Sequence, residues 1–95
     1  MKNDVYNTLR VKTVCENKLN IVFRDGSEFN GWFIYEGRKI ARITVPHGRK
    51  PIPPKTYKSM AQQLKLPIEA FDELLDCPLK YDDYIKNLKE NKFVS

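Results

Sequence analysis

Residues 19–45, LNIVFRDGSEFNGWFIYEGRKIARITV, decide the fold. Leu19, Ile21 and Phe23 alternate with Asn20, Val22 and Arg24, the period-two pattern of a half-buried strand. Asp25-Gly26 follows as a hairpin turn, because glycine supplies the positive φ of the tight primed turns. Phe29 to Tyr35 is rich in aromatic residues and Ile, with Gly31 expected at a bulge. Glu36-Gly37 makes a second and weaker turn signal. Beyond it, Lys39, Ala41, Ile43 and Val45 fall on one face, with Arg38, Arg42 and Thr44 on the other. Ile40 breaks the pattern as an apolar residue on the outer side. The sum is a three-stranded antiparallel meander.

Upstream, Asn3 or Asp4 caps a first helix with Val5, Leu9 and Cys15 inward. Leu9-Arg10-Val11-Lys12-Thr13 also alternates as a strand would, so residues 4–16 read as helix or as partly strand. Downstream, Pro46 ends the third strand, and His47 to Pro54 cannot continue either regular structure. Thr56 caps a helix whose inner stripe is Met60, Ala61 and Leu64, stopping near Pro67. Another helix runs from Pro67 to about Asp76 with Phe71, Leu74 and Leu75 inward. After Cys77-Pro78 a last helix carries Tyr81, Tyr84, Ile85 and Leu88 at helical spacing, a stripe that reads as packing. The expected class is therefore α+β: an N-terminal helix, a three-stranded antiparallel sheet, then two to three C-terminal helices. Residues 1–95 make a single domain, with a core over about 4–66 and a helical extension over 67–92.

The charge is distributed unevenly. Between Glu36 and Glu69 there is no carboxylate side chain, while Arg38, Lys39, Arg42, Arg49, Lys50, Lys55, Lys58 and Lys65 all fall there. Such a one-sided run is what a phosphate-tracking surface needs, since binding releases condensed counterions. The following segment reverses sign, with Glu69, Asp72, Glu73 and Asp76 and no base before Lys80.

The chain of 95 residues is 41% hydrophobic with a net charge of +5, a composition that argues against disorder and for a polyanionic partner. The opening MKNDVYNTLR lacks the apolar core of a signal peptide, and no apolar run approaches a membrane span. Cys15 and Cys77 stand far apart, outside any zinc-binding spacing, and read as ordinary buried thiols. No metal site and no cofactor are expected, and the cysteine usage fits a cytoplasmic protein.

Several stretches carry a family resemblance. Asp25-Gly26-Ser27, Arg42-Ile43-Thr44-Val45-Pro46, Ile52-Pro53-Pro54-Lys55-Thr56-Tyr57-Lys58-Ser59 and Gln62-Gln63-Leu64-Lys65-Leu66 together resemble the HicA toxin family. The acidic continuation from Pro67 to Leu75 resembles an extension found in some members. The resemblance follows the element order over residues 4–75 and is letter-by-letter only within about 42–75. It implies a double-stranded-RNA-binding-like fold. It also implies a toxin-type ribonuclease that cleaves messenger RNA without a metal and is neutralised by an antitoxin partner. Two departures stand out: Glu28 occupies the place of the family's catalytic histidine after Gly-Ser, and Lys55 replaces a glycine before the threonine.

Metal-free RNA cleavage needs a base for the 2′-OH, an acid for the leaving oxygen and cations for the phosphorane. His47, the one histidine, and Glu28 are the candidate catalytic residues. A histidine titrates near pH 6.5, whereas a glutamate at about 4.3 needs burial to serve. Binding asks for less. Arg38, Lys39, Arg42, Arg49, Lys50, Lys55 and Lys58 are the candidate nucleic-acid contacts, with Arg38 and Arg42 expected on one strand face. Trp32, Tyr35 and Tyr57 are candidates for stacking on unpaired bases, against the more ordinary reading of core packing.

Two other classes compete. Residues 59–75 have the apolar spacing of a DNA-binding helix-turn-helix, but its recognition helix would carry Glu69, Asp72 and Glu73 into the major groove. That acidic helix better suits covering the sheet, docking a second copy as a homodimer, or meeting a basic partner in a protein-interaction module.

Overall fold

A computed structural model describes residues 1–76 and 78–94; Cys77 lies outside the described residues. The order is α1 (Thr8–Leu19), β1 (Val22–Arg24), β2 (Phe29–Tyr35), β3 (Arg38–Val45), α2 (Pro54–Gln63), α3 (Ile68–Asp76) and α4 (Tyr81–Glu90). The class is α+β: one helix, an antiparallel sheet in the order β1-β2-β3, then three helices. Among the described residues no helix is long and apolar enough to cross a membrane.

α1 is helical throughout, so the alternation at Leu9 to Thr13 is incidental. Val11, Val14, Cys15 and Leu19 form its buried stripe at helical spacing. The cap is Asn7, whose side chain accepts the Arg10 N–H at 3.0 Å, not Asn3 or Asp4. Val5 consequently lies outside the helix and is 64% exposed. At the other end Asn20 adopts a left-handed φ of 56°, and the Ile21 N–H reaches the Cys15 carbonyl at 3.2 Å. This turn explains why β1 is shorter than its alternation suggests. Leu19 and Ile21 are both buried, one from a helix end and one from the approach to a strand. Cys15 is fully enclosed, and burial pushes its thiol up to about 12, which leaves it inert at neutral pH.

The two hairpins exchange their expected roles. Arg24 pairs with Asn30, so a longer loop joins β1 to β2, and Gly26 is outside the positive-φ region. The tight turn is Glu36-Gly37, with φ of 51° and 78° between the paired Tyr35 and Arg38, as a type I′ hairpin requires. The bulge is also displaced. Phe33 pairs with Ala41 but Ile34 pairs with Lys39, leaving Ile40 as the extra residue. Gly31 instead permits a close approach, since a Cβ there would stand 2.4 Å from Ile21 Cγ2. Its hydrogen lets Ile21 and Phe23 close over the sheet.

The bulge resolves an anomaly visible in the sequence. With uninterrupted pairing, β3 would bury Lys39 beside Ala41 and expose Ile40. One extra residue resets the phase, so Lys39 is exposed and Ile40 is half buried. Burying an unpaired ammonium would cost far more than the bulge.

All four helices contribute to the core on the inner face of the sheet, where Phe33, Ala41, Ile43 and Val45 are buried. Phe33 meets Tyr84 of α4 edge-to-face at 4.8 Å and 88°, a geometry that adds about 0.5–1.5 kcal/mol beyond area burial. α2 begins at Pro54, two residues before the expected Thr56 cap, because proline at the first helical position costs no hydrogen bond. It runs beside β3, whose Thr44 N–H is satisfied by Gln63 Oε1 at 3.0 Å. The Pro-rich loop is fastened to α1: buried Thr8 gives its N–H to the Lys50 carbonyl at 3.0 Å and its hydroxyl to the Gly48 carbonyl.

The acidic helix α3 is partly occupied by the chain itself. Asp76 accepts from the Lys2 ammonium and the Tyr6 hydroxyl, and Asp72 accepts from the Lys2 N–H and the Tyr57 hydroxyl. Lys18 closes the end of the helix, donating to the carbonyls of Leu74 at 2.8 Å and Leu79 at 3.1 Å. Glu69 and Glu73 are left exposed.

Candidate nucleic-acid interface

The helices all pack on one side, which leaves the other face of the sheet open to solvent. Strand phase sends Val22 and Arg24 of β1, Asn30, Trp32 and Ile34 of β2, and Lys39, Arg42 and Thr44 of β3 to that face. Val22 is 81%, Ile34 55% and Trp32 38% exposed. Three contiguous apolar side chains at such exposure, rimmed by cations, are the composition of a contact surface rather than of scattered surface residues.

Trp32 sits at its centre. It pairs across the ladders with Val22 on one side and Arg42 on the other. The Lys39 ammonium lies over its ring, 5.2 Å from the centroid. Arg42 is oriented by a hydrogen bond from Nη2 to Asn30 Oδ1 at 2.9 Å, and the Thr44 hydroxyl donates to the same oxygen at 2.8 Å. One Asn side chain thus fixes a guanidinium beside the indole. Arg24, Lys39 and Arg42 line one shallow hollow around Trp32, with Asp25 at its rim. No strand position on this face carries a carboxylate.

The acid-free run is divided by the fold. Lys39 and Arg42 join this face. Arg38, expected beside Arg42, is turned to the opposite side by the bulge and lines a cleft with Ile40 and the end of α4. Arg49 and Lys50 are exposed on the loop fastened to α1, and Lys55 and Lys58 are exposed at the start of α2. Arg24 also lies on this face, where sequence reasoning does not place it because it precedes the basic run, although its outward phase is readable.

The aromatic candidates separate in the same way. Trp32 is on the open face, not in the core where burial habits would place it. Tyr35 is half buried on the inner side near α4. Tyr57 is fully buried, packed 4.8 Å from Phe71 and hydrogen-bonded to Asp72, so its ring is unavailable for stacking. Burial, then the Asp72 carboxylate, raise its hydroxyl pKa.

Glu28 and His47 both stand beside the β1–β2 loop. Glu28 borders a groove with Lys55 and Ser59, between the β1–β2 loop and α2. His47 packs against Phe29 at 4.2 Å between ring centroids. Its Nε2 lies 3.0 Å from Asp25 Oδ1, within ion-pair range but out of line for a hydrogen bond. Among the described residues no three His, Cys, Asp or Glu side chains gather as a metal-binding group. The helix-turn-helix arrangement is disfavoured by charge, since the exposed side of α3 presents Glu69 and Glu73.

No family model matches this chain, and no curated protein or solved structure matches it significantly.

Proposed function

We propose that this chain binds RNA through the open face of its sheet, as a divergent HicA-like protein of double-stranded-RNA-binding-like architecture. The observation that carries the reading is Trp32, exposed and flanked by Lys39 and Arg42 on a face whose strand positions lack carboxylates. An indole offers a base a stacking surface, and the flanking cations meet the phosphates on either side. A base that stacks on Trp32 displaces the Lys39 head outward, toward the adjacent phosphate. Single-stranded RNA suits this geometry, because only unpaired bases turn their faces to a flat sheet.

Binding without cleavage is the form of this reading that the geometry favours. A transfer of the 2′-OH proton and protonation of the leaving oxygen need two groups on opposite sides of one phosphate. Glu28 is an exposed loop residue, and the His47 Nε2 is covered, 3.0 Å from Asp25 and beside the Phe29 ring, rather than open to a substrate. An antitoxin-type partner and a cytoplasmic setting belong to the same proposal.

The test is fluorescence anisotropy of a labelled single-stranded RNA against salt concentration, with Trp32→Ala and Arg42→Glu in parallel. Affinity that falls steeply with salt and drops in both variants supports the reading. Equal affinity in all three proteins removes it.

A further inference from the structure

A second cleft lies on the inner side of the β2–β3 hairpin, where it meets the end of α4. Arg38 enters it from the strand, and Lys89 and Lys92 enter from the last turn of α4 and the residue beyond its cap. The side chains of these three cations have no ion-pair or hydrogen-bond partner among the described residues. The helix dipole accounts for Lys89 and Lys92 near a carbonyl-rich terminus. It does not account for Arg38, which arrives from the opposite wall. The Glu36 carboxylate borders the same cleft, so three cations face one acid and a net positive charge remains to attract an anion.

The walls are aromatic. Tyr35 is half buried and Phe93 is 47% exposed, and both border the cleft. Phe93 is held in place by its N–H on the Leu88 carbonyl at 2.8 Å, with the Lys65 ammonium over its ring at 5.7 Å.

From these features we infer that this cleft binds a nucleoside phosphate, its phosphate held by Arg38, Lys89 and Lys92 and its base against Tyr35 and Phe93. The site is separate from the open sheet face and does not depend on RNA binding there. The ligand is either a free nucleotide or the phosphorylated end of an RNA, two sources of one chemistry.

The experiment is an amide NMR titration of the whole chain with ADP, adenosine, inorganic phosphate, and one short RNA with and without a 5′-phosphate. The expected result is saturable shifts at Gly37, Arg38 and Phe93 with ADP, at affinity above that of adenosine or phosphate alone. The same shifts with only the 5′-phosphorylated RNA support the site and assign the RNA end as its source. Arg38→Glu with Lys92→Glu should weaken binding about tenfold or more, the loss of two charge-assisted contacts. Trp32→Ala should leave ADP binding unchanged, which separates this site from the sheet face. Absence of shifts with both ADP and phosphorylated RNA overturns the inference. So does binding of phosphate as tightly as ADP, or unaltered affinity in a double variant whose amide spectrum remains folded.

Discussion

Tyr84 of α4 donates its hydroxyl to the Leu64 carbonyl at the end of α2, 2.8 Å away and buried. One helix therefore completes the hydrogen bonding of another across the core, and the Tyr84 ring also packs on Phe33 of the sheet. Tyr84→Phe keeps the ring and leaves the carbonyl unsatisfied. We expect a loss of about 1–3 kcal/mol, read from urea denaturation with unchanged m-value. The same curve should show one transition whether followed by far-ultraviolet circular dichroism or by Trp32 emission.

The Lys2 ammonium, then the Tyr6 hydroxyl, hold the Asp76 carboxyl below the ordinary carboxylate value of 3.8. A depressed carboxyl contributes stability that is present above its unfolded pKa and lost as pH falls through its folded one. Wild type should therefore exceed Asp76→Asn in melting temperature at pH 7. The gap should narrow once pH drops below 3.8 and then close. A gap that persists at the acid end would show that Asp76 acts through packing instead.

Trp32 is the only tryptophan, so RNA binding at the open face should quench or shift its emission. Trp32→Ala should cost RNA affinity by about 1–3 kcal/mol, the worth of one stacked base. The stability loss should be smaller than for a core aromatic, because the ring is 38% exposed. Arg42→Glu should lower the slope of log affinity against log salt by about one phosphate contact or more.

RNA incubated with the protein and a chelator should be recovered intact, since the His47 Nε2 is covered and faces Asp25. Gel analysis of a uniform substrate checks this. Cut product that disappears in His47→Ala would replace the binding reading with a catalytic one.

Gly31→Ala is a stringent probe of the sheet. The new methyl would meet Ile21 Cγ2 at 2.4 Å and Phe23 Cδ1 at 2.9 Å. Both belong to side chains packed against the inner layer, so the expected loss is about 1–3 kcal/mol by calorimetry.

Much of this architecture is legible locally. Period-two alternation marks the strands, and the stripes Phe71-Leu74-Leu75 and Tyr84-Ile85-Leu88 mark α3 and α4, because each pattern depends only on near neighbours. Asn20 is a different case: a left-handed cap and a strand residue look alike in a short alternating run. The turn at Glu36-Gly37 gives a weak signal because glutamate rarely takes the first left-handed position. The bulge does leave a trace, a lysine in the inner phase next to an isoleucine in the outer one. The pairing of Lys2 and Tyr6 with Asp76 leaves none, since it joins residues some seventy positions apart. The candidate interface is half visible for a related reason. A run of cations is counted along the chain, but a surface is assembled across strands, which is how Arg24 joins it and Arg38 leaves.

Strand alternation sets Arg38 and Lys39 back to back, and the extra residue at Ile40 turns Lys39 to the open face and Arg38 to the other. Two adjacent codons therefore address opposite sides of the molecule. A charge reversal at one is a control for the other, and a single clone library across that dipeptide can assign an anionic ligand to its side without a structure of any complex.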